Sequence, residues 1–344
     1  MSDILDEIPF QPTILSSGIE QYLNPRHTTH RGLSLGMEQH DSSFLSRLID
    51  GLIKFLVRMM DDLTDGSTAI SLNLNRVITR AENINTVSRT THRNNKGSSF
   101  KIETRLANLS VNFKPVNDPQ RLLMYLKTSD VIIRNYFKYQ EEELLKVIPS
   151  ITRMNPGSST DLDQLVAILN NVSPFAFASS AGFNADNNRM IGPHILGNQQ
   201  LLVLSKTPDG DPIEQLTGQE FLLQSSDHEV KAPPPFIEYD VFARSIEQSI
   251  LRQIISTAHD LASRIGMLAR LRRSNRVKEV VTYLDLIRKD INQDKYQGEA
   301  LENAIAFIKL IEAFNNWLVN PYLNLLALSC RNMSAVLNVC EANN

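Results

Sequence analysis

The sequence predicts a mainly α fold, a multi-helix bundle with a small β-hairpin insert around residues 195–225. Residues after 239 repeat apolar side chains at steps of three and four, which is typical of amphipathic helices. A second apolar stripe with the same spacing follows Asp41, and the clearest strand-like run is confined to residues 200–206. With 344 residues and 42% hydrophobic content, the chain is long enough for one large or two modest globular domains.

Residues 1–40 are predicted to be a flexible leader, because they contain three prolines and no sustained periodicity. Their first ten residues are acidic, whereas a secretory signal begins with a basic stretch. We therefore expect no signal peptide. We also expect no integral membrane span, because no run of 18 uncharged apolar residues occurs.

A strongly apolar helix is predicted from Asp41, Ser42 and Ser43, which supply its N-cap, to the acidic cluster at 61–66. A membrane-surface or partner-binding helix is one interpretation, and a buried core or oligomer helix is the other. The polar face is not rich in basic residues, which favours the buried helix.

Residues 67–115 form a basic segment that carries eight Lys or Arg against two Asp or Glu. Residues 71–78 alternate in places as a strand would, and 94–99 have the composition of a loop. Residues 100–106 and 109–113 fit either strands that flank this loop or a weak helix.

A firmer helix is predicted over 118–149, with Pro119 in its first position and a break near Ser129. Thr160 or Asp161 is expected to cap a short helix that ends at 169, and 173–188 is expected to be an irregular connection. The β insert then consists of a strand at 200–206, a turn at 208–211 and a return strand at 221–224.

The proline-rich residues 231–235 are the predicted domain boundary. They separate a mostly helical domain, 41–232, from a C-terminal helical bundle, 236–344. In the bundle, Asp240 is expected to cap a helix that runs to Arg273. Breaks near Ser274 and Pro321 are expected to divide the rest into antiparallel neighbours.

No motif in the chain predicts catalysis, a cofactor or a metal. His27 and His30 have metal-like spacing and His40 follows, but nothing nearby completes a ligand shell. Residues 209–211 resemble part of a calcium loop, yet a hairpin turn explains them better. Phosphate-binding loops and nucleophile elbows are missing, and Cys330 is expected to be a buried, inert thiol.

A basic cluster spans the end of one C-terminal helix and the start of the next. Cations at a helix C-terminus are favoured by the helix dipole, which accounts for part of the cluster. Together with segment 67–115, the cluster could also face phosphates. Its members are the candidate nucleic-acid contacts: Arg264, Arg270, Arg272, Arg273, Arg276 and Lys278.

The polar leader, the helices around a small β insert and the two cysteines together resemble a virion structural protein of a large tailed bacteriophage. Head-maturation proteases of such phages cut after a glutamate that follows a small or apolar residue and any second residue. Residues 18–20 and 36–38 are similar to that pattern. The resemblance implies cleavage after Glu20 or Glu38, so that the mature chain would begin near Gln21 or Gln39.

The expected function is therefore a non-enzymatic structural or assembly protein that packs by its helices into a phage head interior, tail or baseplate. Its expected partners are other virion proteins or further copies of itself. Its expected location is the virion, after synthesis in the host cytoplasm. The alternative is a nucleic-acid-associated protein that uses segment 67–115 and the basic cluster.

Overall fold

The longest element of the fold is one helix of 50 residues, α1 (Asp41–Thr90). The computed structural model describes residues 41–90, 98–103, 107–225, 236–273, 276–293, 295–319 and 321–344. About 69% of these residues are helical, and the strands form three small sheets. The predicted mainly α class with a small β insert is thus confirmed.

Helix α1 covers the helix predicted after the cap residues Asp41 to Ser43, but its predicted end at 61–66 is wrong. The strand-like interpretation of 71–78 is also wrong, because those residues are helical. Ile70, Leu74, Val77 and Ala81 are buried at helical spacing, so tertiary packing holds the helix together past its local breakers. A Cβ at Gly66 would lie 2.9 Å from Leu323, which shows how closely another helix approaches there.

Helix α2 (Pro119–Lys138) begins as predicted, and the carboxylate of Asp118 accepts a hydrogen bond of 2.8 Å from the Gln120 N–H. The predicted break near Ser129 is wrong, because its hydroxyl bonds to the Tyr125 carbonyl within the helix. The irregularity comes later, as one π-helical segment (Tyr139–Leu144) that leads into α3 (Leu145–Ile151). There the Leu145 N–H bonds to the carbonyl of Gln140, five residues back.

Helix α4 (Ser159–Asn171) is capped by Ser158, two residues before the nearer predicted cap, Thr160, and it runs two residues past the predicted end at 169. Helix α5 (Pro174–Ser180), capped by Ser173, lies where an irregular connection was expected. Residues 173–188 are therefore more regular than predicted, because a serine cap and a first-turn proline are enough to start a short helix.

A four-stranded antiparallel sheet follows, in the order β4-β5-β6-β7. Its strands are β4 (Asn184–Asp186), β5 (Arg189–Ile195), β6 (Gln199–Ser205) and β7 (Gln219–Ser225). The strand and return strand of the predicted insert are confirmed as β6 and β7, but the sheet begins earlier. The predicted turn at 208–211 is present over 208–210, where the Gly210 N–H bonds to the Thr207 carbonyl, but it does not lead directly into the return strand. Asp211 instead caps a short helix, α6 (Pro212–Thr217), through a capping box with Glu214.

Within segment 67–115, the strand alternative is confirmed at β1 (Ser99–Glu103) and β2 (Ser110–Val111). Strand β2 follows a short 3₁₀ turn (Ala107–Leu109) and pairs with β3 (Lys114–Pro115). Strand β1 pairs antiparallel with β8 (Phe236–Asp240), which lies beyond the predicted domain boundary.

Four helices complete the chain: α7 (Arg244–Arg273), α8 (Arg276–Asn292), α9 (Glu299–Val319) and α10 (Tyr322–Asn343). The predicted break near Ser274 falls on residues 274–275, which lie outside the described residues, whereas Pro321 departs from helical geometry (φ −104°, ψ 42°) as predicted. The predicted cap at Asp240 is wrong, because that residue ends β8. All four helices contact α1, so α1 is their common neighbour.

One hydrophobic core runs through elements on both sides of residues 231–235, which themselves lie outside the described residues. It includes Leu74 of α1, Phe137 of α2, Ile254 of α7 and Phe314 of α9. No helix in the described ranges has both the length and the apolar run that a membrane span needs.

Candidate docking groove

An apolar groove of about 510 Å³ lies between α2, α5 and the edge region of the four-stranded sheet. We call it the docking groove. Its apolar lining consists of Leu123, Met124, Val131, Ile132, Phe177, Ala181, Phe183 and Pro193, and its polar lining consists of Gln120, Lys127, Thr128 and Asn135.

The floor of the docking groove is aromatic and buried. The rings of Phe177 and Phe183 pack edge to face, with their centroids 5.9 Å apart. Phe177 also contacts Tyr136, Tyr139 and Phe221, so the floor continues into an aromatic cluster of the core. Several edge-to-face contacts therefore hold these rings in a specific arrangement.

A bulge in β5 builds one wall. The pairing register of β5 with β6 shifts between Ile191 and His194, so Gly192 and Pro193 stand out of the ladder. Proline has no N–H to donate to a neighbouring strand and is therefore suited to a bulge. A Cβ at Gly192 would lie 2.7 Å from the Leu201 carbonyl oxygen and 2.9 Å from the Phe183 ring, so only glycine fits without displacement.

The other wall is the outward face of α2. Met124 and Val131 lie seven residues apart on this face, and 49% and 55% of their surfaces are exposed. Residues seven apart are two helical turns apart, so the two side chains line one stripe about 10 Å long. Exposed apolar side chains beside a concave apolar floor are typical of a surface that binds another polypeptide.

The electrostatic character of the docking groove is weakly positive. Lys127 is its one cation among the lining residues, and no carboxylate lines it. Lys127 is exposed and makes no ion pair with another described residue. The carboxylate of Asp130 faces away, toward Arg134 on α2 and Gln253 on α7. An occupant with a negative charge near Lys127 would therefore be favoured.

Outside the docking groove, a polar cluster joins α2 and the π-helical segment to α7. The guanidinium of Arg264 lies 3.1 Å from Glu141 and 3.2 Å from Asp260, and 5.8 Å from the centre of the Phe137 ring. Burial raises the pKa of Glu141, and the charge of Arg264 opposes that rise. These contacts link two helices within the protein.

The candidate nucleic-acid contacts are thus only partly described. Arg264 is half-buried and has two carboxylate partners inside the fold. Helix α7 includes Arg270, Arg272 and Arg273, and helix α8 includes Arg276 and Lys278. The side chains of these five residues are not among those that the structure describes. Contact of this cluster with nucleic acid stays a prediction.

The cations of segment 67–115 lie on several elements. Arg76 is exposed on α1, whereas Arg80 binds Glu341 of α10 across 2.5 Å. Lys101 is exposed on β1 and Lys114 on β3. The remaining four cations of the segment have no described side chain.

The predicted cleavage sites, Glu20 and Glu38, lie outside the described residues, as do His27, His30 and His40. Cys330 is buried as predicted, and burial raises its pKa to about 12. Among the described residues, no three His, Cys, Asp or Glu side chains converge as metal ligands.

The docking groove itself was not predicted from the sequence. The apolar stripe of α2 marks the side that faces the core, and Met124 and Val131 lie off that stripe. Two signals were available in the sequence. One was the pair of apolar residues, Met124 and Val131, on an otherwise polar helix face, and the other was the Gly192-Pro193 dipeptide. Neither indicates a groove until α5 and the sheet are placed against α2.

Comparison of the chain with protein-family models, with curated proteins and with solved structures finds no match in any of the three.

Proposed function

We propose that the chain is a non-enzymatic structural protein that packs into a larger assembly, and that the docking groove is one of its contact surfaces. The observation that carries this proposal is the exposed apolar wall formed by Met124 and Val131 over an aromatic floor. Covering such a wall removes apolar surface from water, which favours association.

Elsewhere, the polar contacts of the described residues support packing between elements. Arg264 joins α7 to the π-helical segment, Arg288 joins α8 to Asp50 of α1, and Arg80 joins α1 to Glu341 of α10. These cations are engaged within the fold, which suits a rigid building block.

The test compares wild type with Val131→Asp and a matched control, Leu72→Asp, on the exposed face of α1. Mass and composition of the purified species are measured by light scattering coupled to size exclusion, and by mass spectrometry of co-purifying proteins. We expect oligomers or bound partners for wild type and for Leu72→Asp. For Val131→Asp we expect a loss of association of about tenfold, because a carboxylate would be desolvated in the groove.

A wild-type chain that stays monomeric at high concentration and brings down no partner would contradict the proposed function. Association that survives Val131→Asp but is lost in Leu72→Asp would contradict the role of the docking groove and place the contact surface on α1.

We further propose that the assembly is a tailed-phage particle, which rests on the resemblance and on the glutamates at 20 and 38. Mass spectrometry of the N-terminus of the native protein tests this proposal. A mature chain that begins at Gln21 or Gln39 is expected, and an N-terminus at any other residue would contradict the predicted cleavage.

A further inference from the structure

We propose that, in the uncleaved chain, the N-terminal residues Asp3 to Phe10 occupy the docking groove when no partner is bound. This inference rests on the proposed function of the groove as a binding surface. A partner protein must then displace this segment to reach the groove.

The chemistry of this segment complements that of the groove. Residues 3–10 alternate short apolar and acidic stretches and carry no basic side chain. The groove is apolar, lined by one cation, Lys127, and by no carboxylate. A segment that buries aliphatic and aromatic side chains while it places a carboxylate near Lys127 satisfies both features. Its apolar members are Ile4, Leu5, Ile8 and Phe10, and its acidic members are Asp3, Asp6 and Glu7.

The size of the segment also fits. Four apolar side chains are enough to cover a stripe about 10 Å long, such as the one between Met124 and Val131, whether the segment is extended or helical. The rings of Phe177 and Phe183 line the groove, and Phe10 can pack against them because aromatic rings prefer edge-to-face or offset contacts. Other stretches of the first 40 residues are less suitable, because residues 11–19 have no acidic side chain and residues 24–34 contain two arginines and two histidines.

The connection between segment and fold is long enough. Thirty residues separate Phe10 from the start of α1 at Asp41. Fully extended, they reach about 100 Å, whereas a folded chain of this length has a radius of gyration of about 20 Å. The segment can therefore reach the groove within one molecule, at a local concentration that favours the intramolecular contact over the contact with a second copy.

The experiment places a photoreactive side chain in the groove of the full-length chain, as Val131→p-benzoylphenylalanine. Irradiation followed by digestion and mass spectrometry identifies what lies against this position. We expect crosslinks to residues 3–10. Unlabelled and nitrogen-15-labelled protein are mixed before irradiation, so that a crosslink within one molecule can be distinguished from a crosslink to a second copy. We expect crosslinks within one molecule only. Leu72→p-benzoylphenylalanine on α1 is the control and is expected to give no crosslink to this segment.

A charge exchange tests the role of Lys127. We expect Lys127→Glu to lower the crosslink yield about fivefold, which is the scale of one exposed ion pair. The double change Asp6→Lys with Glu7→Lys in the same chain is expected to restore it. Lys138→Glu, at the end of α2 and outside the groove, is the matched control and is expected to leave the yield unchanged.

The proposal is overturned if the crosslinks from position 131 go to another segment, or to a second copy of the chain, or are no more frequent than those from position 72. Met124→p-benzoylphenylalanine repeats the test on the same wall, so that a local defect at position 131 does not decide it. If the chain assembles but no crosslink to residues 3–10 forms, this inference fails while the proposed function stands. If the crosslink forms in a chain that never associates, the proposed function fails instead.

Discussion

Gly192 is required in the wall of the docking groove because there is no room for a side chain at this position. A methyl group there would meet the Leu201 carbonyl and the Phe183 ring inside normal contact distance. The carbonyl is backbone and the ring is held in the aromatic cluster, so neither can move freely. We therefore expect Gly192→Ala to lower the free energy of unfolding by about 1–3 kcal/mol.

Gly51 provides the matched control, because it lies within α1 and a Cβ there has no neighbour within 4 Å. Since alanine is a better helix former, Gly51→Ala should raise the free energy of unfolding by up to about 1 kcal/mol. Urea denaturation of the three proteins measures both effects. Equal shifts in the same direction would show that the crowding at Gly192 is relieved by local movement.

Composition and spacing around Gly192 do not predict that glycine is required at this position. A glycine before a proline is typical of a turn, and the sequence indicates only an interruption there. The requirement for glycine arises from Phe183, nine residues earlier, and Leu201, nine residues later. For the same reason Met124 and Val131 were not recognisable as a wall, since exposure of an apolar residue is decided by neighbours that are distant in the chain.

At the scale of elements, α1 shows most clearly where sequence patterns fail. Leu72 and Leu74 share one side of a strand but lie on different sides of a helix. In the structure Leu74 is fully buried and Leu72 is 58% exposed. We expect Leu74→Ala to cost about 2–5 kcal/mol of unfolding free energy, and Leu72→Ala to change it by no more than about 0.5 kcal/mol.

Denaturant titration of these two variants tests the helical register of α1 directly. Similar losses for both would contradict the helix and support the strand interpretation of residues 71–78. The helix was predictable as far as residue 60 because its apolar stripe is dense there. After residue 60, the acidic cluster and Gly66 are typical of a helix end. Contacts of α1 with α7 to α10 outweigh these local preferences, so the helix continues.

At the scale of the molecule, the proline-rich residues 231–235 mark a change of composition, while the core is continuous across them. Strand β8 pairs with β1, and α7 packs on both α1 and α2. Linker composition predicts a boundary between chain segments, but it carries no information on which faces are buried together. The four C-terminal helices were predictable from periodicity, whereas their shared neighbour, α1, was not.

The continuity of the core predicts how residues 236–344 behave on their own. A fragment of residues 236–344 keeps its own internal contacts, such as the Phe242 N–H bonded to the Asn343 side chain. It loses α1, α2 and the pairing of β8, so buried side chains such as Ile254 and Leu261 on α7 are expected to become exposed. We therefore expect the fragment alone to unfold without a cooperative transition in circular dichroism. Co-expression with residues 1–235 should restore cooperative unfolding, because the two pieces together supply the whole core. A sharp transition in the isolated fragment would contradict the shared core and establish residues 236–344 as an independent domain.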